Sequence, residues 1–344
     1  MNAHRRWRRR AIRLAQVAIV GTATWFLAVP QLPAAWAAIG AIGTAPTSLI
    51  VLAGLLAFAA LVAYAQLVRV ALGREASPGL WHTFGIVTTS LGVSNVLPAG
   101  SAAGSIVTFR MLERAGVPRD RAAVSMAVAS LGSALVLNVL LGVGLVALVP
   151  AQGLTSGAIA AVPAVLLLAA VVCFVRAVLG GSRRLYGVVA WLGRRWPRVV
   201  GDRLVRALDT LTDQLTHWRA NPGRVRRAVG WAVLNWLIDV AALWVVLLAV
   251  GVGVNPIVVL VAFALANIAA TVPITAGGLG VVELTLAGTL VGFGAPAAAT
   301  AVGVAIYRLF NFWLPIPISA IAFLATRVAT QTSPSPRELV ATRS

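Results

Sequence analysis

Asp239, Glu283 and Arg308 stand inside long apolar runs, where only protein groups or trapped water can solvate an ionisable side chain. At the centre of a bilayer each costs at least ~2.5–3.5 kcal/mol on insertion scales, so a sequence that keeps them is expected to use them. Asp239 follows Arg227 by twelve residues, and Arg308 follows Pro296 by twelve. Along a helix either separation is roughly 18 Å, close to the midplane. Glu283 closes the stretch PITAGGLGVVE, in which Pro273, Gly277, Gly278 and Gly280 break a helix and free backbone groups to face a cavity. The half-helix starting near Gly280 then offers its positive end to an anionic group. An arginine holds a phosphate through two parallel N–H bonds. Arg308 and Glu283 therefore admit two compatible readings. They form a pair that locks this segment to the last helix, or Arg308 grips a phosphate with Glu283 as its resting counter-ion or a proton carrier. Asp239 is a proton or cation relay, or a carboxylate satisfied by helix amides such as Asn235 one turn earlier; Asn138, Asn267 and Asn311 are further amides in these runs.

Composition says what must position them. Of 344 residues 60% are hydrophobic and 11% charged, with a mean hydropathy of +0.92. Soluble domains carry roughly a quarter charged residues, and several apolar runs here approach the ~20 residues that cross a bilayer core. The fold class is an all-α polytopic membrane protein. The net charge of +19 would suggest nucleic acid in a soluble domain. Every basic residue is an arginine, however, and they cluster where apolar runs end, which reads as topology signals and attraction to anionic lipid headgroups, with no nucleic-acid partner. Cys173 stands alone and His4, His82 and His217 are scattered, so neither a disulfide nor a metal centre is expected, and no cofactor is called for.

Threading follows the arginines. The first span, about 11–29, is expected to be an uncleaved helix with a cytoplasmic start, and about 47–70 returns to Arg69 and Arg74. The stretch from Trp81 to Ser94 is short for a span and ends at Asn95, Pro98, Gly100 and Gly104. If it crossed, Arg110, Arg114, Arg119 and Arg121 would lie outside, so a re-entrant hairpin from the cytoplasmic side is predicted. Spans at about 121–149 and 157–179 follow, then an arginine-rich cytoplasmic insert at 180–227. In that insert Leu204, Leu208, Leu211, Leu215 and Trp218 repeat as an amphipathic helix suited to the headgroup plane. A span at about 228–250 leads to a second hairpin, 256–272 and 281–293, broken by PITAGGLG. A last span covers about 297–326, and 328–344 reads as a disordered cytoplasmic tail.

Written as directions, the first unit (about 11–149) is mirrored by the second (about 157–327) within a membrane domain of 1–327. Asn95, Pro98, Gly100 and Gly104 precede GVP at 116–118, as Asn267, Pro273, Gly277 and Gly280 precede GAP at 294–296. Paired broken helices in oppositely oriented halves point to a transporter site at the midplane.

The segments LPAGSAAGSIVTFRMLERAGV and PITAGGLGVVE, with YRLFNFW downstream, resemble the transmembrane region of the lysylphosphatidylglycerol synthase family, the flippase-like domain proteins. That resemblance carries Pro273, Gly277, Gly278, Gly280, Glu283 and Arg308 as its matching positions. Family members commonly place an acidic residue and an arginine soon after the first hairpin's proline and glycine. Here Arg110 is the nearest charge and the next helix reads VASLGSAL, so the resemblance extends no charge relay to the first half. Full synthases append an aminoacyl-transfer domain; this chain ends in a short tail and is not expected to make aminoacyl lipids itself. The resemblance implies a flippase of a lipid or lipid-linked envelope precursor, with an anionic phospholipid or such a precursor as its partner, in a bacterial plasma membrane, and the arginine threading puts both termini in the cytoplasm. The alternatives are a membrane-embedded transferase acting on a lipid carrier and a non-catalytic partner of an envelope enzyme.

Overall fold

The structure, a computed structural model, describes residues 40–73, 77–97, 100–148, 221–271 and 276–321, with Trp36 and Ala169 besides. The expected spans at 11–29 and 157–179, the amphipathic repeat from Leu204 to Trp218, Pro98, Pro273 and the tail lie outside these residues. The described elements are helices: α1 (Thr47–Leu72), α2 (Leu80–Val96), α3 (Gly100–Arg114), α4 (Arg119–Leu148), α5 (Pro222–Ala249), α6 (Pro256–Ala269), α7 (Val281–Gly292) and α8 (Ala297–Arg308), which continues through a π-helical turn at Leu309–Trp313. Four of the described helices are long and apolar enough to cross a membrane: Thr47–Leu72, Arg119–Leu148, Pro222–Ala249 and Ala297–Ile321. This is a multi-pass, all-α membrane protein.

Helix ends follow local chemistry. Asn221 caps α5 by accepting from the Arg224 amide at 3.2 Å, and Pro222 occupies the first helical position, where no donor is needed. The span expected from about 228 thus begins six residues earlier, inside the arginine-rich segment, because arginines on a helix end carry their charge to the headgroups without leaving the helix. Asn255 and Pro256 start α6 in the same way, with the Ile257 amide donating at 2.9 Å.

Small residues let the spans approach closely. α1 packs along α5, and both helices bury small residues, Ala53, Ala57, Ala60 and Ala63 on α1 and Ala228, Ala232 and Ala242 on α5. The main core lies where α5, α6 and α8 meet, around Leu243, Phe263 and Ile306. Leu55, Leu131, Val143 and Leu284 are exposed on the outside of the spans, as lipid-facing positions are.

The arginine-bearing ends gather together. Arg224 at the start of α5 donates to the carbonyls of Val70 and Ala71 at the end of α1, at 3.0 and 2.6 Å. Ser125 near the start of α4 also donates to Ala71, at 2.9 Å, and Arg119 pairs with Glu113 across the α3–α4 turn. The end of α1, the starts of α4 and α5 and the α3–α4 turn, which carry these arginines, therefore gather at one end of the bundle.

Two helix pairs are shorter. α2 and α3 have 17 and 15 residues, roughly 26 and 23 Å, and α6 and α7 have 14 and 12, roughly 21 and 18 Å. All fall short of a ~30 Å hydrocarbon core. α2 and α3 fold back on each other, with Ser90 donating to the Gly104 carbonyl at 2.8 Å. A side chain at Gly104 would strike the Ser90 carbonyl at 2.9 Å, so the close approach requires glycine. α6 and α7 also pack together, across the short 3-10 turn Ala276–Gly278.

Candidate functional site

The break before α7 is built from backbone that L side chains resist. Gly277, Gly278 and Gly280 have φ of 56°, 69° and 80°, and Gly280 is the N-cap of α7. Three residues on, Glu283 turns back, and its Oε2 accepts from the Gly280 amide at 2.6 Å. The carboxylate thus satisfies an orphan amide and complements the positive end of its own helix. Sequence reasoning offered that helix end to an external anion; it is occupied from within.

The other carboxylate oxygen, Oε1, accepts from Arg308 Nε at 2.6 Å. The Arg308 side chain is 7% exposed against 23% for Glu283, so the carboxylate lies on the open side of the pair. Arg308 Nη2 donates to the Gly277 carbonyl at 3.3 Å, and its Cζ sits 4.4 Å from the centre of the Phe312 ring. The guanidinium is held on carboxylate, backbone and aromatic face together.

Phe312 belongs to the π-helical turn, defined by the Leu314 amide reaching back to the Leu309 carbonyl at 2.8 Å. Pro315 and Pro317 follow, removing two backbone donors that this turn's carbonyls would otherwise take. The Phe312 carbonyl accepts instead from Asn95 Nδ2 at 3.0 Å. Asn95 is buried at the end of α2 and comes from the first half of the chain. A Cβ at Gly277 would meet the Asn95 Cα at 3.1 Å and overlap the Phe312 ring. The tip of the first hairpin, the glycine break of the second and the π turn of α8 therefore meet at one point. Gly100, at the start of α3, packs so tightly on Ser94 that a side chain there would overlap its backbone.

Asp239 lies on α5, one helix over. Its Oδ1 accepts from the Tyr307 hydroxyl at 2.9 Å and from Asn311 Nδ2 at 3.1 Å; its Oδ2 accepts from the same amide at 3.1 Å. Tyr307 and Asn311 are one turn apart on α8 and share a face. The structure brings Arg308, Glu283, Gly277 and Asn95 together, sets Asp239 beside them through α8, and places Gly278 against Ala270 and Val282. Tyr307 and Phe312 are the additions that sequence reasoning passed over, although both sit in the quoted YRLFNFW. Among the described residues no three His, Cys, Asp or Glu side chains gather as metal ligands.

Residues 13–319 match the family described as the lysylphosphatidylglycerol synthase TM region. The chain belongs to this family. A 90-residue stretch is also 31% identical to a UPF0104 membrane protein of Methanothermobacter thermautotrophicus, covering 26% of this chain and 27% of that protein. The match thus spans about a quarter of that relative's length. As a lysylphosphatidylglycerol synthase TM region protein the chain is a membrane protein of a lipid-related family, and the match takes in both hairpins, Asp239, Glu283 and Arg308.

Proposed function

We propose that this protein moves an anionic lipid or lipid-linked envelope precursor between the leaflets of a bacterial plasma membrane by alternating access, with both termini cytoplasmic. Arg308 is the headgroup-binding residue and Glu283 its resting counter-ion. The observation that carries this reading is the meeting of two broken hairpins, from opposite halves of the chain, at Gly277 and Phe312, the two residues that with Glu283 hold the buried guanidinium of Arg308. Two inverted units around such a junction give a site that rocking can open to either side. A phosphate approaching from the Glu283 side would replace one carboxylate oxygen with two oxygens matched to the planar fork. When the headgroup leaves, Glu283 returns and the buried charge is never left bare.

The test is translocation of a tail-labelled phosphatidylglycerol in vesicles holding the purified protein. Arg308→Lys keeps the charge but loses the fork, and the double variant Glu283→Gln with Arg308→Gln removes the pair without leaving a lone ion. Both are expected to remain folded and to translocate at least tenfold more slowly. A double variant moving lipid at the wild-type rate would leave the pair purely structural and sink the assignment.

A further inference from the structure

The two carboxylates next to α8 differ in what compensates them, and the difference assigns Asp239 a task. The ion pairs among the described residues are Glu113–Arg119 and Glu283–Arg308; Asp239 has none. α5 packs against α1, α4, α6 and α8. Apart from the arginines in its own first turns, α5 carries no charge besides Asp239. α1 offers only Tyr64 and, near its end, Arg69. α4 has Arg119, Asp120 and Arg121 in its first turn and no titratable group beyond them, and α6 has none. From α8 come Tyr307, which touches Asp239, and Arg308, which Glu283 holds. Among the described residues, every hydrogen bond to Asp239 therefore comes from a neutral donor.

We propose that Asp239 is the proton-binding site that drives this transport, acting on Arg308 through Asn311 and the π-helical turn. The proposal rests on the transport reading above and names its energy source. An ionised carboxylate only accepts hydrogen bonds, and all three bonds here suit that form. The proton goes to Oδ2, which Tyr307 does not occupy: an O–H bond forms there with a proton taken from water on one side of the membrane. The same bond breaks to return the proton to water on the other side, and no other bond or electron count changes. While it lasts, Oδ2 becomes a donor facing the Asn311 N–H, so Asn311 keeps its bond to Oδ1 alone and regains a second only by turning its own amide oxygen toward the new O–H. Asn311 lies in the π turn with Phe312, whose ring backs Arg308 and whose carbonyl holds Asn95. Protonation at α5 thereby loosens the turn on which the headgroup-binding arginine rests. Sodium fits less well, since it needs several oxygens and the side chains here present N–H and O–H.

Three measurements on the full-length protein decide it. In infrared difference spectra between pH 8 and pH 4, the wild type is expected to show one protonated-carboxyl component that Asp239→Asn lacks, the chain's eight other Asp and Glu side chains contributing equally to both. In vesicles, an imposed pH gradient is expected to change translocation of tail-labelled phosphatidylglycerol at least tenfold for the wild type and less than twofold for Asp239→Asn, which still moves lipid downhill. A sodium gradient at constant pH is expected to do nothing. Should Asp239→Asn not survive extraction, Asp239→Leu with Asn311→Leu replaces both partners by apolar groups and serves in both assays. The proposal is overturned if the variant's carboxyl band equals that of the wild type, if it responds to the pH gradient as the wild type does, or if a sodium response disappears with Asp239. A wild type that moves lipid without responding to pH also overturns it while leaving the transport reading intact. If no protein moves lipid under any gradient, the transport reading fails, and with it this role.

Discussion

Glu283 and Asp239 are carboxylates in one apolar bundle, both tied to the same helix, yet they are held in opposite ways. Glu283 takes a cation on one oxygen and a backbone amide of its own helix on the other. Its charge is compensated and its position fixed by the chain. Among the described residues Asp239 is held by side chains alone, both from the neighbouring α8, and by neutral donors alone. The first arrangement suits a charge that stays, whether as a structural lock or as the counter-ion of a binding arginine. The second leaves a charge that can come and go without stranding a partner.

The largest effect should separate the two directly. Glu283→Gln leaves Arg308 buried without its anion, a loss of about 3–5 kcal/mol, whereas Asp239→Asn strands no ion and should cost about 1 kcal/mol. Thermal unfolding in detergent reads both, and adding Arg308→Gln to Glu283→Gln should recover most of the loss. Equal costs for the two single variants would erase the distinction. Next in size is the glycine break on which the Glu283 side rests. Gly277→Ala adds a left-handed penalty to an overlap with Phe312 and Asn95, together about 2–4 kcal/mol. Gly280→Ala has the same handedness problem but open space around it, and should cost about 1–2 kcal/mol. An effect no larger than that of Gly280→Ala sharpens the link between halves: Asn95→Ala leaves the Phe312 carbonyl unpaired at about 1–2 kcal/mol and should slow phosphatidylglycerol translocation while leaving the infrared component of Asp239 in place.

Much of this was legible from the chain because apolar length and arginine position are strong signals in a membrane. The span at Thr47–Leu72 and the breaks near Asn95 and Gly280 follow from them within a few residues. The pairing of Glu283 with Arg308 was legible too, since depth alone demands a partner for each. Tyr307 was not, because a tyrosine in an apolar helix reads as packing until its hydroxyl finds a carboxylate 68 residues away. The π turn was not either. Its cause, two prolines beyond Trp313, reads as a simple helix end, and the free carbonyl it creates is claimed by an asparagine 217 residues distant. Such contacts belong to tertiary packing, within the second half for Tyr307 and between the halves for Asn95, and leave no periodicity behind.

The π turn also has a mechanical meaning. It holds one residue more than an α-helical turn, and each residue advances a helix by about 100°. The segment beyond Trp313, through Pro315, Pro317 and Ser319, is therefore wound about a quarter-turn out of phase with the part of α8 that carries Tyr307 and Arg308. Ser319 lies so close to Gly92 of α2 that no Cβ would fit between them. Releasing or shifting the extra residue would screw this end of the helix against the first hairpin while Tyr307 and Arg308 stayed in register. α8 is thus a shaft with a clutch in it: one length gripping the charged pair, the other geared to the opposite half of the molecule.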